Sequence, residues 1–115
     1  MPEKLVRDRV PSLMDRKGTP GRFRRAEPAE VLKLLCAKLV EEAQELQQAS
    51  DISQRYEEFG DVLEVLQAIV KTPEFGGIRF FELDGIRESK LHTHGGFTER
   101  WVLITSDAPT SGTTA

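Results

Sequence analysis

At 115 residues the chain is long enough for one domain with a core of its own. Its hydrophobic share is 38% and its charged share 30%. That balance suits a thin helical bundle that completes its core against another copy of itself. No run of about 20 apolar residues is present, which excludes a membrane-spanning helix.

The net charge of −3 conceals an asymmetry. Residues 1–25 hold eight Lys or Arg against three acids, and the remainder holds eight against sixteen. A basic arm beside an acidic body suits a ligand that is both polyanionic and metal-bound, such as a nucleoside triphosphate. The alternatives are a solvated loop or a contact with nucleic acid. Only Phe23 interleaves the basic residues, so no stable nucleic-acid partner is expected. The opening MPEKLVRDRVP has no apolar h-region and is not read as a signal peptide. The single Cys36 cannot form an internal disulfide, lies on an apolar helix face, and is expected as a small core residue. A lone cysteine fits a reducing cytoplasm.

Taken in order, Pro11 opens a short helix carrying Leu13 and Met14. Residues 18–28, GTPGRFRRAEP, hold two Gly, two Pro and no period, and read as a loop. Pro28 opens a long helix over about 29–49, with apolar positions from Val31 to Leu46 following the 3.6-residue period. Ser50 and Asp51 end it and offer an N-cap for a second long helix, about 52–71. Gly60 inside that helix costs about 1 kcal/mol relative to Ala. It either admits a close neighbour or has no evident reason. A connection this short makes the two helices antiparallel neighbours. Beyond Thr72-Pro73 and a Gly76-Gly77 loop, residues 78–91 read as a third, less regular helix. Residues 92–97, HTHGGF, read as a Gly-rich turn, with the two histidines a poor metal pair. Trp101–Ile104 reads as a strand or an extended segment docked on the bundle or a partner. Phe97 and Trp101 are expected to pack, and residues 105–115 form a disordered tail.

The acidic residues of the two long helices carry the chemistry. Glu42 and Glu45 are three apart, as are Glu58 and Asp61, so each pair shares a helix face. Like charges on neighbouring turns repel unless a cation lies between them. Glu42 interrupts the seam Leu35, Leu39, Leu46, at a position where the period asks for a hydrophobe. Asp61 lies on the stripe of Val65 and Ile69, beside a Phe59, Val62, Leu66 seam. A carboxylate held unpaired in a seam costs several kcal/mol of desolvation, which a bound Mg²⁺ or Mn²⁺ removes. A run such as EEAQE on its own is most simply a solvated face. Glu57 is a surface acid, and Glu64, one turn beyond Asp61, is near enough to join the site.

The spacing E-x-x-E, twelve residues, E-x-x-D over Glu42, Glu45, Glu58 and Asp61 resembles the signature of the MazG-like all-α nucleoside triphosphate pyrophosphohydrolases. KLVRDRVP at residues 4–11 resembles the opening of a small single-domain branch labelled phosphoribosyl-ATP pyrophosphohydrolase-like. The run K-x-x-x-H-G-G-F from Lys90 to Phe97 resembles its closing motif, with His94 where an Arg or similar residue more often precedes the glycines. The resemblance covers residues 3 to about 104.

What the resemblance implies is an all-α antiparallel helical bundle over residues 1–104, completed as a homodimer or homotetramer. It implies hydrolysis of a nucleoside triphosphate between the α- and β-phosphates, giving a monophosphate and pyrophosphate, as a house-cleaning activity. Glu42, Glu45, Glu58 and Asp61 would hold Mg²⁺, with Mn²⁺ as the substitute. Glu41 would orient or deprotonate the attacking water. Lys38, one turn before it, and Arg7, Lys4 and Lys90 would contact phosphate. Lys38 has a simpler role in i,i+4 pairing with Glu42. Two rivals stand beside this reading: the phosphoribosyl-ATP step itself, and a non-catalytic helical dimer whose acids are a solvated face.

Overall fold

In the computed structural model, which describes residues 3–106, the secondary structure is entirely helical, with four α-helices and no strand among the described residues. The chain divides into two compact units, Met1–Ile78 and Arg79–Ala115.

The first unit is built on a helical hairpin. Helix α1, Val10–Arg16, carries Pro11 in its first turn and is followed by Gly18 at φ 76°. No helix forms between Gly18 and Glu27, as the paired Gly and Pro residues require. Pro28–Glu30 makes one 3₁₀ turn, its entry fixed by the Glu27 N–H donating to Glu30 Oε2 at 2.8 Å. Helix α2, Val31–Gln48, continues from it. Three residues later α3, Ile52–Val70, begins with the Gln54 N–H donating to Asp51 Oδ1 at 2.8 Å, the expected N-cap. Thr72 closes α3 by donating from Oγ1 to the Ile69 carbonyl at 2.7 Å. With so short a connection the helices fold back against one another.

Their contact holds the core: Leu35, Val65 and Ile69 are buried, with Leu5, Val31, Leu32, Leu39 and Ala68 packed around them. Leu5 belongs to the N-terminal arm, so the arm is a packed part of this unit. The seam assigned to Phe59 is corrected, since that ring is exposed while Val62 and Leu66 are half-buried. Cys36 is also corrected. One residue on from buried Leu35, it has turned about 100° around the helix and is exposed.

In the second unit α4 spans Phe80–His94, three residues further than expected, so His92 and His94 form its last turn. The break comes at Gly95, at φ 80°, and Gly85 is accommodated inside the helix. Trp101–Ile104 is neither a strand nor a covered segment. Trp101 is 91% exposed and Phe97 89%, so neither packs as expected. The tail assigned to 105–115 lies, from residue 107 on, outside the described residues. No helix among the described residues is long and apolar enough to cross a membrane.

Candidate metal centre

Because the apolar stripes of α2 and α3 face each other, whatever interrupts those stripes is carried into the interface. Glu42 is carried furthest, at only 6% exposure. Glu58 and Asp61, on the first three turns of α3, are half-buried. One carboxylate oxygen from each of Glu42, Glu58 and Asp61 lies within 4.8 Å of the others. Oxygens around one Mg²⁺ at about 2.1 Å stand at most about 4.2 Å apart. The grouping is therefore near the size of a coordination shell.

Two carboxylate oxygens of these residues, Glu42 Oε2 and Glu58 Oε2, are buried and have no hydrogen-bond partner. Buried polar atoms are nearly always satisfied, so each orphan calls for an explanation. An unpaired buried carboxylate oxygen is costly. Burial pushes the Glu42 carboxyl above the ordinary carboxylate value, and the nearby charge of Glu45 pushes it the same way, while Lys38 pulls it back. All three members are hard oxygen donors, the type that Mg²⁺ and Mn²⁺ prefer. The residues present fit the ion.

Around the triad the charges alternate. Lys38 Nζ lies 3.6 Å from Glu41 Oε1 and 3.5 Å from Glu42 Oε1, the helical pairing expected of it. From the N-terminal arm, Lys4 Nζ donates to Glu41 Oε1 at 2.9 Å and Arg7 Nη2 to Asp61 Oδ1 at 2.7 Å. Those two contacts hold the basic arm over the acids. The Lys4 hydrogen bond pulls the Glu41 carboxyl below its usual value, and Lys38 adds to the effect. Three cations thus meet five carboxylates, Glu41, Glu42, Glu45, Glu58 and Asp61. The acids outnumber the cations paired with them, so the cluster keeps a surplus of negative charge that a divalent cation would offset. A cavity of about 450 Å³ opens here, lined by Arg7, Leu35, Lys38, Glu42, Asp61 and Val65 among others.

Of the expected ligands, the structure brings Glu42, Glu58 and Asp61 together. Glu45 is exposed and outside the three-oxygen grouping, though close enough to act on Glu42. Glu64 lines the cavity from an exposed position. Lys90 is on α4, in the second unit, and enters no ion pair among the described residues. His92 and His94 belong to no cluster of metal-binding groups among the described residues. Long-range pairing of Lys4 and Arg7 with the acids was not legible in the sequence beyond the sign of the charges. Compared with family models, curated proteins and solved structures, the chain matches none.

Proposed function

We propose that the chain is a metal-dependent nucleotide pyrophosphohydrolase, splitting a nucleoside triphosphate between its α- and β-phosphates into monophosphate and pyrophosphate. The observation that carries this reading is the buried, unpartnered Glu42 Oε2 on α2 beside the carboxylates of Glu58 and Asp61 on α3. A solvated acidic face has no need to bury a carboxylate. The resemblance of the four-acid spacing and its two flanking motifs to MazG-like enzymes supplies the reaction.

Glu42, Glu58 and Asp61 would hold Mg²⁺ or Mn²⁺, with Glu45 within reach of the same charge. When bound, the ion neutralises charge on phosphoryl oxygens and lowers the pKa of a water. The remaining work falls to the chain. Glu41, kept ionised by Lys4 and Lys38, accepts the proton of the attacking water at a carboxylate oxygen or holds that water in line. A lowered pKa makes it a weaker base, so orienting is its larger share. Lys38 and Arg7, both lining the cavity, bind phosphate oxygens, and each then exchanges a carboxylate partner for a phosphate one. Lys4 does the same from the arm.

The proposal extends to a homodimer or homotetramer in a reducing, cytoplasmic setting. Support for the oligomer is a stripe of exposed apolar side chains on α3, Ile52, Tyr56, Phe59 and Leu63, stepping 4-3-4 along one helix face. Tyr56 alone is 71% exposed. An apolar face of this kind suits a helix of a second copy.

The deciding experiment measures pyrophosphate release from a panel of canonical and non-canonical nucleoside triphosphates with Mg²⁺, Mn²⁺ or EDTA. Release that needs the metal and is lost in Glu42→Gln is the expected result. No turnover on any nucleotide, and no thermal stabilisation by metal, would replace the enzyme with a non-catalytic helical oligomer.

A further inference from the structure

Beside the carboxylate cavity lies a larger one, about 820 Å³, between the N-terminal arm and the segment around residues 22–26. Its size is that of a small-ligand site. Five cations line it, Lys4, Arg7, Arg22, Arg24 and Arg25, against the acids Glu3 and Asp8. Lys4 and Arg7 are engaged with Glu41 and Asp61 as described. Arg24 is fully occupied: its Nη2 donates to Glu3 Oε1 at 2.8 Å and its Nη1 to Glu30 Oε2 at 2.9 Å. That double clamp ties the arm and the Pro28 turn to one wall of the cavity.

Arg22 and Arg25 are different. Neither makes an ion pair among the described residues, yet both line the same cavity. Guanidinium groups sharing one concave space repel, and an anion there turns repulsion into charge-assisted hydrogen bonds. Phe23 stands between them in sequence and lines the cavity too, with about half of its surface exposed. Its ring lies so close to Gly21 that a Cβ there would come within 3.2 Å of it. Leu5, Val31 and Leu34 complete an apolar side. Arg7 lines both cavities.

We propose that this cavity seats the nucleotide itself, a multiply charged phosphate chain on Arg22 and Arg25 with an aromatic base against Phe23. Arg7 then stands between the phosphate chain and the carboxylates. The proposal rests on the pyrophosphohydrolase reading for the identity of its ligand. The chemistry on the page asks for the same thing: an anion of several charges that also carries an aromatic or apolar part. The cavity is large enough for one nucleotide, and with a single aromatic residue it offers no platform for successive bases of a nucleic acid.

The test uses the full chain and calorimetric titration in EDTA with two probes. One is an α,β-methylene nucleoside triphosphate, purine and pyrimidine in turn; the other is inorganic tripolyphosphate. The expected result is metal-free binding of both probes, weakened tenfold or more in Arg22→Ala/Arg25→Ala. Phe23→Leu and Gly21→Ala should weaken the nucleotide several-fold and leave tripolyphosphate as it was. Arg16→Ala, outside the cavity, serves as the control for general charge loss. Wild-type affinity in the double arginine variant, or no binding in EDTA, overturns the site. Equal loss of both probes in Phe23→Leu overturns the placement of the base. Analogue binding with no hydrolysis of the parent nucleoside triphosphate in Mg²⁺ removes the reaction and leaves the cavity standing. Hydrolysis with an unchanged KM in the double variant does the reverse.

Discussion

Arg7 Nη2 donates to Asp61 Oδ1 at 2.7 Å across 54 residues of sequence, and so places a fixed cation on one member of the carboxylate triad. In the absence of metal this pair and Lys4–Glu41 offset part of the repulsion among the acids. Both cations are more than half exposed, so each pair contributes at most about 1 kcal/mol. A divalent ion held by the triad would compete with Arg7 for the Asp61 carboxylate. Arg7 is thus a rival of the metal before substrate arrives and a partner of the phosphate afterwards.

The first prediction concerns that rivalry. Arg7→Ala should tighten Mn²⁺ binding to the nucleotide-free protein by up to about fivefold, the equivalent of about 1 kcal/mol. In the same variant KM for the nucleotide should rise. Titration calorimetry with Mn²⁺ and steady-state kinetics separate the two effects. Weaker Mn²⁺ binding together with an unchanged KM would sink the idea.

Glu42→Gln removes a buried charge and keeps the side chain's shape. The metal-free protein should melt at the same temperature or higher, because an amide can donate to the carboxylates it faces. The increase in Tm on adding Mg²⁺, which arises because the ion binds the folded state, should vanish, and turnover should fall by roughly a hundredfold or more. Thermal melts with and without Mg²⁺ check both halves.

Stability in EDTA should peak in the acidic range. The Glu42 carboxyl is raised in the folded protein, so its contribution is complete below the ordinary value of 4.5 and is lost as pH rises through the folded value. Glu30 is pulled down to about 2, first by the Arg24 hydrogen bond. Its contribution is present above 4.5 and lost as pH falls toward 2. Urea midpoints measured from pH 3 to 8 should therefore decline on both sides. Saturating Mg²⁺, or Glu42→Gln, should flatten the decline on the alkaline side.

Gly60 sits inside α3 with nothing within 4 Å of where a Cβ would be. Within this chain it admits no close neighbour. Gly60→Ala should raise the urea-derived stability by about 1 kcal/mol, the helix-propensity difference. An unchanged or lower midpoint would mean that something outside the monomer approaches there.

The exposed α3 stripe makes a separate prediction about assembly. Phe59→Glu with Leu63→Glu should convert a dimer or tetramer into monomers by light scattering, with helix content retained by circular dichroism. A monomeric wild-type protein would remove the oligomer from the proposal.

The helices and their order were legible because each carries its own local signals, such as the Asp51 cap, the Pro28 entry and the 3.6-residue spacing of Val31 to Leu46. The triad was legible for a related reason. Glu42 and Asp61 occupy positions that periodicity reserves for hydrophobes, and the short connection levels them. What periodicity cannot express was missed. Cys36 and Phe59 lie at the edges of apolar stripes, where about 100° of rotation separates buried from exposed. Trp101 is apolar but has no regular element to hold it against anything in its own unit. The Arg7–Asp61 and Lys4–Glu41 pairs depend on how the arm folds back, and charge sign alone does not choose partners. Glu45 matches its motif position yet is exposed and outside the three-oxygen grouping.

Only three residues, Ala49 to Asp51, separate α2 from α3, and the whole carboxylate triad is carried on those two helices. Such near-neighbour pairing closes quickly, because little chain entropy is lost in making it. The acids come together whenever that hairpin closes, whereas two of their cations arrive from 37 and 54 positions away in sequence. A hairpin closed without the arm would hold this repulsive cluster uncompensated, and a divalent ion would be its nearest remedy.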